Sequence, residues 1–135
     1  MIVHEDINLL DFGMGMLAGL RRAGLEELSE RRLYDVHAAW VEAFKVVEAE
    51  IPREHLQFWM TTDEMHHTSQ DVDHIFRYWV KGPYVTKDAP GVIYRFHFEV
   101  SSADDLLKKL AGGAELYDKA TAAFTDYLDT HYSTY

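Results

Sequence analysis

The sequence predicts an α+β fold, a single domain over residues 1–135 in which helices cover a small antiparallel sheet of two or three strands. Three observations predict it. Apolar residues recur every third or fourth position in two long stretches, they alternate at every second position over residues 92–100, and glycine or proline separates these runs. A chain of 135 residues with 47% apolar content has material for one core and no room for two.

In chain order, Ile7 to Leu20 reads as a helix weakened by Gly13, Gly15 and Gly19, each costing about 1 kcal/mol relative to alanine. From about Glu26 to Glu50, Leu33, Val36, Trp40, Phe44, Val47 and Ile51 lie on one stripe when wound as a helix, and Pro52 stops it. Leu56, Phe58 and Met60 alternate and are a candidate third strand. Asp71 to Val80 is a helix that turns Val72, Ile75, Phe76 and Trp79 inward. Tyr84-Val85-Thr86 and the alternating run from Val92 to Val100 then form a hairpin across Lys87 to Gly91. A short helix at Ala103 to Ala111, capped by Ser102, is divided by Gly112-Gly113 from a last helix whose inner face is Tyr117, Ala120, Phe124, Leu128 and His131. The predicted order is α-α-β-α-β-β-α-α.

Charge narrows the function classes. Thirteen basic side chains face 23 acidic ones, a formal charge of −10, and the excess is spread along the chain rather than gathered in a tail. Such a balance argues against general nucleic-acid binding, which needs clustered cations to neutralise phosphate. Docking on an anionic membrane surface is disfavoured for the same reason. No cysteine is present, so disulfide frameworks, cysteine-ligated metals and thiol nucleophiles are excluded. The segment Met1 to Asp6 is acidic where a signal peptide is basic, and the uncharged run Phe12 to Leu20 is far shorter than the roughly 20 residues that span a bilayer. A cytoplasmic location is expected.

The histidines offer the one candidate metal site. If a helix begins at Thr61, with Glu64 completing the cap, then His67, Asp71, His74 and Tyr78 share a face. Two imidazoles and a carboxylate are a ligand set for non-haem iron or catalytic zinc. A start at Thr68 or Ser69 leaves His67 outside the helix, and that face points away from the apolar one, as a solvated polar surface would. His37 and His131 fall on apolar stripes and read as buried, neutral, hydrogen-bonded imidazoles. His97 shares a strand face with Arg95 and Glu99, a solvent-side charge ladder.

Two stretches resemble known folds. Leu9 to Gly15 is similar over about nine residues to the glycine-rich first motif of nucleotide-dependent methyltransferases, although Leu17 stands where a third glycine is usual. The alternative is that these small residues let helices approach closely. Residues 61–100 resemble a winged helix in element order, which would imply a regulatory module; Asp71 and Asp73 at the start of its recognition helix would repel phosphate and favour a protein contact.

Two function classes follow. The first is a small acidic binding protein, of inhibitor or immunity type, that occupies a basic site on a macromolecular partner through Glu26, Glu27, Glu30, Asp35 and Glu42, all off the long helix's apolar stripe. The second is a small enzyme with a histidine and carboxylate site around residues 63–78, with or without a metal on His67, Asp71 and His74. No P-loop, EF-hand loop or Ser-His-Asp spacing assigns catalytic residues, no organic cofactor is implied, and self-association is left open.

Overall fold

The computed structural model describes residues 6–29, 33–61, 69–88 and 93–132. Helix α1 runs Leu9–Arg22 and begins in a capping box: the Asp11 amide donates to Asn8 Oδ1 at 2.8 Å, and the Asn8 amide donates to Asp11 Oδ2 at 3.4 Å. Its end is a Schellman turn. Gly24 adopts φ +98°, its amide donates to Arg21 O at 3.0 Å, and the Leu25 amide donates to Leu20 O at 3.1 Å.

That turn delivers the chain into strand β1, Glu27–Ser29, where the sequence predicted the start of the long helix. Residues 26–32 offer a helix no apolar stripe, whereas strand β1 buries Leu28 to 5% exposure. Helix α2 is therefore Leu33–Glu50, with Val36, Trp40, Phe44, Val47 and Ile51 buried as the spacing requires. Pro52 and a 3-10 turn at Arg53–His55 follow.

The alternation from Leu56 to Met60 is real in burial, with Leu56 and Met60 inside, but it makes no strand in the sheet. Leu56 instead forms a single parallel bridge with Ile7, whose amide donates to His55 O at 2.8 Å and whose carbonyl accepts from Gln57 at 2.9 Å. Helix α3, Gln70–Lys81, starts at Ser69, the later of the two predicted starts. Ser69 Oγ accepts from the Val72 amide at 3.4 Å, and Val72, Ile75, Phe76 and Trp79 face inward as predicted.

Strands β2, Val85–Asp88, and β3, Ile93–Phe96, pair antiparallel, and β1 joins the other edge of β3 to give the order β1-β3-β2. The predicted α+β layout is what forms, with the third strand recruited from before α2. Strand β3 ends at Phe96, sooner than the alternation suggested, and helix α4 spans Val100–Lys109 with Glu99 rather than Ser102 at its N-cap. Gly112 and Gly113, at φ +85° and +61°, turn the chain into α5, Gly113–Tyr132, which lies along α2.

The core gathers around Trp40, and the sheet closes it from one side: Tyr94 stacks on Phe76 with ring centres 4.4 Å apart, and Phe96 meets Trp79 edge-on at 5.9 Å. The glycines of α1 belong to helix contacts, not to a cofactor loop. A Cβ on Gly15 would lie 2.2 Å from the Tyr117 ring of α5, and one on Gly19 would lie 2.2 Å from Thr121 Oγ1. Of the winged-helix resemblance, α3 and the β2–β3 hairpin are present, while the short first helix would fall on residues outside those described. No helix among the described residues is long and apolar enough to cross a membrane.

Candidate functional site

The structure divides the predicted acidic set between two places. Glu26 and Glu27 are exposed beside the sheet edge, where the Glu27 carboxylate lies 3.4 Å from Arg95, which also reaches Asp88 at 3.1 Å. Asp35 and Glu42 are half-buried on α2, and Glu42 pairs with Lys45 at 3.0 Å. Burial first, and then these two carboxylates, push the Tyr127 phenol of α5 upward from its ordinary pKa, so Asp35 and Glu42 lie toward α5. Glu30 lies outside the described residues. The four described positions thus stand at two different elements, two at the start of β1 and two on α2.

A second acidic array is better aligned. Glu115, Asp118, Asp126 and Asp129 are all exposed on α5. Wound at about 100° per residue they fall within a narrow arc opposite Tyr117, Ala120, Phe124 and Leu128. The spacing of these four residues is present in the sequence, on the face opposite the apolar one. Among the described residues, cations pair with the array at its N-terminal end. Lys119 lies 3.0 Å from Glu50 and 3.9 Å from Glu115, and the Glu50 hydrogen bond raises its pKa. Arg22 of α1 reaches Asp104 at 3.2 Å and Asp118 at 3.6 Å. Asp126 and Asp129 have no ion-pair partner among the described residues.

An open cleft of about 380 Å³ runs between α1 and this end of α5, lined by Gly19, Ala23, Asp118, Thr121, Ala122 and Thr125, with Arg22 at its side. Small side chains make it roomy. Thr121 is buried, and its Oγ1 has no hydrogen-bond partner among the described residues. The arrangement leaves the Asp118 carboxylate at the edge of a depression, which suits a long cationic side chain entering from outside.

Of the predicted metal ligands, Asp71 and His74 are among the described residues. Asp71 is half-buried and His74 exposed on the first turns of α3; burial raises the Asp71 pKa, and His74 partly offsets this. His67 lies outside the described residues, and among those described no three histidine, aspartate or glutamate side chains group to hold a metal ion. The organised imidazole is His37, which is fully buried. Its Nδ1 accepts the Ser69 amide at 2.8 Å, so the proton of the neutral ring sits on Nε2, 3.6 Å from Asp73 Oδ1. That distance is an electrostatic contact, too long for a hydrogen bond. A ring sealed from solvent and spent on capping α3 positions the helix; it cannot reach a substrate.

Burial lowers the His37 pKa below 6.5, and the Asp73 carboxylate only partly opposes it. The native state therefore binds fewer protons than the unfolded chain just below pH 6.5, and the stability that the neutral ring contributes is lost as pH falls through its lowered value. Urea unfolding at pH steps from about 7.5 to about 5 should show this decline. In His37→Gln, whose amide oxygen can still accept from Ser69, the decline should be shallower; an unchanged slope would show that another group drives it.

His97 stands on the exposed sheet face as expected, with Nε2 2.6 Å from Thr86 Oγ1. Nearby, Arg21, Glu26, Glu27, Arg95 and Glu99 border a polar cleft of about 330 Å³ in which charges of both signs alternate. No protein-family model, curated protein or solved structure matches the chain.

Proposed function

We propose that this is a binding protein, of inhibitor or immunity type, that docks its acidic surface on a basic macromolecular partner. The observation that carries this reading is the exposed carboxylate stripe of α5 bordering a cleft of small residues. Carboxylates aligned along one rigid helix can engage several cations of a partner in a single orientation, and the cleft can seat one lysine or arginine beside Asp118. The Glu26 and Glu27 pair at the sheet edge widens the same field and speeds encounter rather than anchoring the complex.

The test uses the immobilised chain to capture partners from a lysate of its native source, followed by surface plasmon resonance with the captured protein across a salt series. A triple variant, Glu115→Lys, Asp126→Lys and Asp129→Lys, should slow association at least tenfold at low salt, an effect that shrinks as salt screens the charges. Stability should change little, because exposed substitutions each move it by about 0.5 kcal/mol or less. Reversal of Glu26 alone should have a much smaller effect. Association that is indifferent both to salt and to the triple variant would defeat the proposal.

A further inference from the structure

On the side of the molecule formed by α1, the C-terminal turn of α3 and the segment leading into β2, a cleft of about 300 Å³ is lined by Met14, Leu17, Tyr78, Trp79, Lys81 and the Gly82-Pro83-Tyr84 turn. This is within the lower range of small-molecule sites. Leu17 and Tyr84 also wall a separate pocket of only about 10 Å³ with Phe98, Ser102 and Leu106.

The base of the larger cleft is rigid. Trp79 is 2% exposed and donates its indole N–H to Gly13 O at 3.0 Å, which fixes the ring plane against α1. The turn is tied down as well: the Gly82 amide donates to Trp79 O at 3.2 Å, and Tyr84 O accepts from the His97 amide at 2.7 Å. Tyr78 and Tyr84 are 41% and 39% exposed, unusual for large rings on a chain with this much aromatic core, and they stand at the opening. Tyr84 is held edge-on against Phe98 with ring centres 5.4 Å apart. Met14 contributes a thioether that adapts to an inserted ring.

One charged side chain lines this cleft, and it is a lysine. Lys81 is exposed and has no ion-pair partner among the described residues. On a protein with ten more acidic than basic side chains, an ammonium as the one charged group lining an aromatic cleft gives an anion a local point of attraction. We infer that this cleft binds a small aromatic carboxylate. The ring enters between Met14, Trp79 and Tyr84 in the offset or edge-on contacts that aromatic groups prefer, and the carboxylate meets the Lys81 ammonium beside the tyrosine hydroxyls. The site lies apart from the α5 stripe and needs no part of the docking proposal.

Isothermal titration of the full chain with phenylacetate, 3-phenylpropionate and indole-3-acetate tests it, with 3-phenylpropionamide as the uncharged counterpart. At least one acid should bind saturably with a Kd at or below about 1 mM, and 3-phenylpropionamide should bind at least about fivefold more weakly than 3-phenylpropionate. Lys81→Met should bring that acid down to the level of its amide while leaving the amide unchanged. Amide shifts in a two-dimensional NMR titration should centre on Met14, Trp79 and Tyr84. Absence of saturation for all three acids up to about 10 mM would overturn the proposal, as would equal binding of acid and amide or shifts centred elsewhere. The acid-to-amide ratio on the unmodified chain decides the matter even if the lysine variant folds poorly.

Discussion

Replacement of Trp40 by alanine is expected to remove about 3–5 kcal/mol of unfolding free energy, out of the 5–15 kcal/mol typical of domains, measured by urea denaturation. Trp40 is fully buried, and four aromatic rings from three other helices surround it. Phe12 of α1 and Phe76 of α3 lie edge-on at 5.8 Å, Phe124 of α5 does so at 5.6 Å, and Trp79 of α3 is 5.5 Å away. Truncation therefore opens a cavity at the one point where all these helices meet. Phe44→Ala, a turn along the same stripe and 3% exposed, should cost a comparable amount. Trp40→Phe should cost less than alanine for two reasons: the ring is kept, and the buried indole N–H, which has no acceptor among the described residues, is removed with it. Losses below about 1 kcal/mol for both alanine variants would contradict this packing.

Adding one methyl group should be nearly as damaging as removing a ring. At Gly15 a Cβ would sit 2.2 Å from two atoms of the Tyr117 ring, and Tyr117 is fully buried with its phenol pushed far up from its ordinary pKa by that burial. The ring has nowhere to swing, so Gly15→Ala has to push α1 away from α5. Overpacking of this kind costs about 1–3 kcal/mol, and Gly19→Ala, which meets Thr121 Oγ1 at 2.2 Å and the Tyr117 carbonyl at 3.1 Å, should fall in the same range. Gly82→Ala is the internal control. Its φ of −90° suits any residue and the nearest atom would be 3.7 Å away, so thermal unfolding should be nearly unchanged. Equal melting temperatures for Gly15→Ala and Gly82→Ala would refute the close approach.

These positions also show what the sequence can and cannot convey. Trp40, Phe44, Tyr117 and Phe124 were legible as core because helical periodicity records which face is covered. The glycines of α1 were legible as costs to a helix and as room for a close helix contact, whereas the partners, Tyr117 and Thr121 of α5, lie about 100 residues away and had no local signature. Strand β1 escaped because three residues carry too short a pattern, and its pairing with β3 is set by tertiary register rather than by local alternation. Leu56 to Met60 gave the opposite error: alternate burial arose from packing under α2 without a sheet neighbour. His37 was read as a buried, singly bonded imidazole and is one. Its partner, the Ser69 amide, is a backbone group that no side-chain motif announces. The acidic stripe of α5 was written in the spacing of four residues, whereas the aromatic cleft draws on three separate segments and had no linear trace.

Because Ser29 pairs with Ile93 across the whole of α2 and α3, β1 belongs to the slow, non-local part of folding. The β2–β3 hairpin is local and can form early; β1 has to wait for the helices to be drawn in, and loop closure across them is entropically costly. A three-residue strand docked last is also the first to detach, giving a partial opening of low free energy within an otherwise intact fold. Such an opening uncovers the backbone edge of β3, whose Ile93, Tyr94 and Phe96 would be inviting to a strand from another molecule. Between them stands Arg95, held by Glu27 only while β1 is in place. Asp88 of β2, 3.1 Å from Arg95, keeps its hold when Glu27 leaves, so a charged pair stays beside the bared edge. The residue that fastens β1 when the sheet is closed thus discourages intermolecular pairing when it opens.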